Sequence, residues 1–326
     1  MTSTPGTGPV SFTARDWFLL LAAALMWGGS FLLIKLGLED FPPATVAWLR
    51  LAFGAATLAL LPAARTPLRH RRDWWPVAVL GVVWMAVPFV LFPLAEQTIS
   101  SALAGMINGA APLFTAVIAV AWYRRWPDRR LLTGLGVGFL GVIAVNLPAL
   151  DGGASLSGVA MVLAATVLYG VAFNLTGPLE HRNGALPVIW RAELIAMAVL
   201  TPPGLIGLTD STPTPAGLAA MATLGALSTG VAFACFALLI GRVGAARASI
   251  TVYLVPIVAI LLGAGVAAEP VAPLSVAGIT LVLVGAYLAS GSPRRDRTAL
   301  SPTHDTRTGH PHPNEAEEPA RPQEPS

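Results

Sequence analysis

What this chain has least of is charge. Asp, Glu, Lys and Arg make up 11% of its 326 residues, against about 25% in a soluble domain. It has one cysteine, Cys235, which excludes an intrachain disulfide and says nothing about redox compartment. It has one lysine, Lys35, and no GxxxxGK[ST] loop, which excludes nucleotide binding of that kind. All five histidines fall outside the long apolar runs, HExxH is absent, and Ser30 has no histidine near it in sequence. An intramembrane enzyme would need a nucleophile with a base or a metal, so an enzyme is not expected and no cofactor is implied.

What is present is apolar sequence, 55% of the chain. Runs of bilayer-spanning length recur at about 17–36, 43–61, 76–95, 99–121, 131–149, 157–177, 186–207, 216–240, 250–267 and 274–290. Roughly 20 apolar helical residues cross the hydrocarbon core, so these runs predict an all-α membrane protein with ten transmembrane helices. The first run is too long for a signal-peptide h-region, and the Ala22 to Ala24 match to a cleavage motif lies inside it. The lipid bilayer is therefore one partner.

Arginines alternate with acidic residues between the runs. One set of loops carries Arg65, Arg69, Arg71, Arg72, Arg124, Arg125, Arg129, Arg130, Arg182, Arg242 and Arg247. The other set carries Glu39, Asp40, Glu96, Asp151, Asp210 and Glu269. By the positive-inside rule both termini are cytoplasmic. The net charge of +3 thus reflects topology and gives no reason to invoke nucleic acid. Trp17, Trp74, Trp75, Trp122 and Trp126 fall at inner helix ends, as an interfacial belt would. Residues 1–16 read as a cytoplasmic N-terminal segment. Residues 292–326, rich in Pro, Thr, His, Glu and Arg, read as a disordered cytoplasmic tail, in which His304, His310 and His312 lack metal-site spacing.

The chain repeats itself. A shift of 144 places Leu80, Gly81, Val87, Phe89, Phe92 and Leu94 on Leu224, Gly225, Val231, Phe233, Phe236 and Leu238. The same shift carries Pro112, Gly134 and Gly141 onto Pro256, Gly278 and Gly285. The repeats run over 17–149 and 157–290. A unit of five helices is odd, so the second copy enters the membrane from the opposite side, giving two inverted five-helix repeats. Such halves can expose a central site alternately to each face; an old duplication kept only for stability gives the same pattern.

The WGGSF run with Lys35, Arg50 seven residues after Pro43, the span ISSALAGMINGAAPLFTAVIAV, and GRVGAARASITVYLVPIVAILLGAGVAAEP followed by GITLVLVGAYL resemble the drug/metabolite transporter superfamily, EamA type. The resemblance covers residues 16 to 291. It implies a secondary transporter that exports a small metabolite, amino acid or hydrophilic drug. The family usually carries a glutamate after helix 4 as well as after helix 9. Here the position matching Glu269 is Arg125, so a first-half glutamate is not essential.

Charged residues inside the bilayer are costly and need a partner or water. Arg50 lies too deep in its run to snorkel comfortably. It either binds an anionic group or clamps a helix through carbonyls. Glu193 either carries a coupling proton or reaches water at a helix end, and its i,i+2 spacing from Arg191 puts the two on different faces. Lys35 is one turn before Glu39, and an i,i+4 ion pair accounts for it. Trp27 and Gly28, with Phe31, align with Tyr169, Gly170 and Phe173 at an offset of 142, so each half offers an aromatic beside a glycine. Helix packing explains these glycines as well as a site does. With Trp84, Asn108, Asn174, Trp190 and Tyr253 they sketch an aromatic substrate cavity with a few polar handles. Pro112 and Pro256 each free a carbonyl and would kink two helices in matching places, as hinges.

Two alternatives are weighed. GLGVGFLG matches a dinucleotide fingerprint through Gly136, Gly138 and Gly141 but has no preceding strand, so Gly134 and Gly138 read as a small-residue packing face. A channel or facilitative pore would have a similar lining and stays open. Oligomeric state is not legible.

Overall fold

The fold is taken from a computed structural model, which describes residues 12–124, 129–151, 155–243, 248 and 250–289. The expected tail, most of the N-terminal segment, Arg125, Trp126 and Arg247 lie outside them. Among the described residues the secondary structure is helical, without strands. We number the helices α1 (Ala14–Gly37), α2 (Pro43–Ala59), α3 (Arg71–Glu96), α4 (Ser101–Trp122), α5 (Arg129–Asp151), α6 (Leu156–Asn183), α7 (Ala185–Leu208), α8 (Pro215–Val243), α9 (Ile250–Gly265) and α10 (Pro273–Ala289). Six of them, α1, α3, α4, α6, α7 and α8, are long and apolar enough to cross a bilayer. The apolar stretches of the other four are shorter.

Helix starts follow local chemistry. Thr13 caps α1 by accepting from the Asp16 N–H, and Asp16 reaches back to the Thr13 N–H at 2.9 Å, a reciprocal capping box. Ser100 caps α4 and Thr214 caps α8 in the simpler one-bond manner. Pro43 opens α2, where its missing N–H costs nothing. Gly184, at φ +84°, alone separates α6 from α7. Only glycine adopts that backbone without strain.

Three long helices are not regular throughout. In α3 a wide π-type turn spans Gly81–Ala86, and in α8 another spans Ala226–Val231. In α4 the helix breaks at Gly109 and Ala110 and restarts at Ala111. Pro112 therefore sits in the first turn of a new helical segment, where proline is tolerated, rather than kinking a continuous helix. Pro256 lies inside α9 as expected of a kink position.

Close glycine contacts decide which helices meet. A Cβ on Gly28 of α1 would strike Val258 and the Val255 carbonyl of α9, and one on Gly170 of α6 would strike Phe114 and Ile118 of α4 at 2.9 Å. Gly81 of α3 lies against the Ala192 carbonyl and Ile195 of α7, and Gly225 of α8 against the Arg50 carbonyl and Phe53 of α2. The expected small-residue face of α5 packs on α10, where Gly285 meets Gly134 and Gly138, and Gly278 meets Gly141. In lipid, close backbone approach is what joins helices, because the tails are as apolar as the side chains.

Ion pairs and hydrogen bonds tie helix ends together at the two ends of the bundle. At one end Arg182 bonds Asp73 at 2.9 Å, and Arg242 bonds Asp16. At the other, Asp40 accepts from the Thr214 N–H and hydroxyl. Trp17, Trp74, Trp75 and Trp122 are exposed on the outside of the bundle.

Candidate functional site

A cavity of about 550 Å³ lies between the helices. That is large enough for a small organic solute. Its walls are built from aromatic rings in mutual contact. Trp27 of α1 meets Phe233 at 5.6 Å and Phe236 at 5.0 Å, both on α8. Phe233 meets Trp84 of α3 at 5.3 Å, and Trp84 meets Phe173 of α6 at 6.0 Å. Phe31 packs on Phe92, and Phe92 on Tyr169. Most pairs stand edge to face, the arrangement ring quadrupoles favour. The π-type turn in α3 carries Trp84, so the local widening of that helix bears directly on the wall.

Of the lining residues two are charged, Arg50 and Glu180. The Arg50 guanidinium lies 3.8 Å from the centre of the Phe89 ring, and its Nε donates to Thr229 Oγ1 at 3.0 Å. Stacking and one hydrogen bond hold the group flat while its remaining N–H donors can meet a ligand. Thr229 belongs to the π-type turn of α8, so both widened turns reach the site. Asn108 adds a polar handle at the end of the first half of α4, its Oδ1 buried and without a partner among the described residues. Ser30 donates instead to the Trp27 carbonyl at 2.6 Å.

The cavity has a direction. Glu180, Ala185 and Ile240 line it towards the end where Arg182 and Arg242 lie. At the opposite end the lining stops at Ile34. Just beyond it Lys35 donates to Glu269 Oε1 at 2.8 Å. Glu269 also accepts from the Ser101 N–H and hydroxyl and from the Ala102 N–H, at 2.8 to 3.0 Å. The Lys35 partner corrects the expected i,i+4 pair with Glu39. The lysine turns from its own helix towards a carboxylate already held by the first turn of α4. Burial alone would raise the Glu269 carboxyl, but the Lys35 ammonium and the two N–H donors outweigh it and hold it below the ordinary range.

Of the residues singled out from sequence, Trp27, Phe31 and Arg50 line the cavity, as do Trp84, Asn108, Tyr169 and Tyr253. Pro112 does too. Gly28, Asn174 and Trp190 do not. Gly28 is the α1–α9 contact, Asn174 donates to the Thr115 and Gly170 carbonyls, and Trp190 Nε1 donates to the Ala55 carbonyl. Arg191 is a helix clamp, donating to the Ala64, Arg65 and Pro187 carbonyls. Glu193 is fully buried behind Arg50, beside Gly54 and Thr229, and neither carboxyl oxygen has a partner among the described residues.

Sequence reasoning passed over Phe89, Thr229, Glu180 and Glu96. The 144-residue shift pairs Phe89 and Phe92 with Phe233 and Phe236, a signal that marks all four rings. Thr229 and Glu180 carry no such mark, since a threonine in an apolar run and a glutamate near a helix end are both ordinary.

The sequence matches the EamA-like transporter family over residues 17–147 and 156–291, which is most of the chain. The chain is an EamA-like transporter. It is 26% identical to an "Uncharacterized transporter" of Archaeoglobus fulgidus, covering 84% of this chain and 98% of that one. It is 27% identical to the "Uncharacterized inner membrane transporter YedA" of Escherichia coli, with 84% and 92% covered. A "Probable terminal-alkyne amino-acid exporter" of Streptantibioticus cattleyicolor is 26% identical, with 83% and 92% covered. A solved structure titled "Crystal structure of protein" shares the fold at a TM-score of 0.61 and 17% identity, covering 84% of this transporter and 96% of that chain. It is thus a multi-pass membrane transporter and not an enzyme.

Proposed function

We propose that this protein is a secondary active transporter of the cell (inner) membrane that exports a small metabolite, amino acid or hydrophilic drug by alternating access. The observation that carries the reading is one-sidedness: an aromatic cavity reaching the Arg182 end and stopped short of the Lys35–Glu269 pair at the other. A pore would need a path through both ends, so this asymmetry favours a carrier over a channel.

In this reading α1 to α10 all cross the membrane, as two inverted repeats with both termini cytoplasmic. The glycine contacts support it. Gly28 on Val258 and Gly170 on Phe114 are the same contact displaced by 142 and 144 positions. Gly225 on Arg50 and Phe53 mirrors Gly81 on Ala192 and Ile195. Each unit therefore closes on the other through equivalent surfaces. The Arg182 end is then cytoplasmic, and the cavity opens inward.

Arg50 is the anionic anchor and the rings of Trp27, Trp84 and Tyr169 enclose the apolar part of the solute. Pro256 and the break before Pro112 serve as hinges. Glu193 is the coupling carboxyl, since an unpartnered buried glutamate tolerates its proton far better than its charge. The name of the Streptantibioticus relative makes amino acids the first solutes to try. The test is counterflow into proteoliposomes across a panel of amino acids, metabolites and drugs. Saturable counterflow supports the carrier, and ohmic single-channel current in its place overturns it.

A further inference from the structure

Glu96 ends α3 at the same end of the bundle as the Lys35–Glu269 pair, and neither the cavity nor the coupling role of Glu193 uses it. It is 5% exposed, and both its carboxyl oxygens are buried without a hydrogen-bond partner among the described residues. The charged groups whose fields reach it are Glu269 on the loop before α10, Lys35 on α1 and Arg50 on α2. From α6 the Tyr169 ring packs against Phe92, one turn below it. Lys35 bonds Glu269 and Arg50 bonds Thr229, so neither cation bonds Glu96 in this state.

We propose that Glu96 is a proton-binding site that controls closure of the outer end. The inference rests on the carrier reading above. With its proton on, Glu96 is a neutral group that the closed packing accommodates. With the proton lost to outside water, its charge would sit dry beside that of Glu269, and it would compete for the single ammonium of Lys35. Both effects weaken the closed arrangement and favour a state in which water reaches Glu96. The proton comes from the outer medium when that end is open, binds the carboxylate, and allows Lys35 to return to Glu269 alone. The two carboxyls have opposite requirements, because the lock needs Glu269 ionised and Glu96 neutral. Outer closure therefore holds while Glu269 is ionised and Glu96 keeps its proton, and weakens once Glu96 gives that proton up.

The test uses the full chain with Cys235→Ala and Ser30→Cys, a cavity-lining position, in right-side-out membrane vesicles. A membrane-impermeant thiol reagent is applied from outside, and labelling is divided by that of Thr209→Cys, which is exposed at the same end. The ratio is expected to rise about tenfold as external pH rises, the size expected for loss of one charged hydrogen bond. Glu96→Gln should hold the ratio low throughout, and Glu96→Asp, which keeps a titratable group, should retain a displaced transition. A flat ratio in the parent, or an unchanged transition in Glu96→Gln, overturns the proposal. Lys35→Ala separates the two readings: if removing the lock gives no outside labelling at any pH, alternating access itself fails.

Discussion

The guanidinium of Arg50 lies over the Phe89 ring, 3.8 Å from its centre, and its Nε donates to the Thr229 hydroxyl at 3.0 Å. These two contacts orient the group, which lines the cavity, and neither uses its terminal N–H donors. A lysine at this position would keep the charge and lose the planar fork. Arg50→Lys is expected to raise the KM for an anionic or zwitterionic solute by about 10- to 100-fold, the equivalent of one or two charged hydrogen bonds. Thr229→Val, which frees Nε without removing charge, should have a smaller effect in the same direction. Initial-rate transport in proteoliposomes checks both, and an unchanged KM in Arg50→Lys would remove the anchor.

The Glu269 carboxylate gathers Lys35, the Ser101 hydroxyl and two backbone N–H groups. Its carboxyl is held below the ordinary range in the folded protein, so its contribution to stability is fully present above the ordinary carboxylate value. The contribution disappears as pH falls through the lowered folded value. Glu269→Gln should therefore lower the unfolding temperature at neutral pH and make little difference once the pH lies below that lowered value. Unfolding of the purified protein in detergent, followed across pH for both forms, gives the comparison. An equal deficit at every pH would mean that packing, not charge, holds this loop.

Much of the architecture is legible in the sequence because lipid imposes long apolar runs, and because glycines and aromatics paired at an offset of 144 mark positions where helices meet. The motifs around Trp27 and Glu269 carry the family. What is not legible is which partner a polar group finds across the bundle. Lys35 has Glu39 one turn away, yet it bonds a carboxylate 234 positions distant, because the first turn of α4 has already fixed that carboxylate within reach. Asn174 and Trp190 read as polar handles at mid-depth, but each satisfies a carbonyl on a neighbouring helix. Such choices depend on helix rotation, which hydropathy does not encode. Glu96 reads as a loop residue by position and is buried by packing.

Adjacent glycines on α1 offer a contrast in what they exclude. A Cβ on Gly28 would collide with the branched Val258 side chain and the Val255 carbonyl, neither of which can step aside. A Cβ on Gly29 would meet only the tip of Leu262 at 3.3 Å. Gly28→Ala is expected to cost about 1–3 kcal/mol through overpacking, and Gly29→Ala little or nothing. Thermal unfolding of the two variants side by side decides the matter, with equal loss in both contradicting the close approach of α1 and α9.

Glu193 and Gly54 are in direct contact, and no hydrogen-bond donor among the described residues meets the carboxyl. An ionised group there would need water or the Arg50 guanidinium to approach, which links its charge to movement of α2 against α7. Gln is nearly the same size as Glu, so Glu193→Gln preserves packing while removing the titration. Counterflow, which needs no gradient, should persist in this variant, whereas uptake driven by an imposed pH gradient should fall to the level seen without one. Retention of gradient-driven uptake would assign coupling elsewhere, and loss of counterflow as well would show that Glu193 serves the fold or the solute rather than the proton.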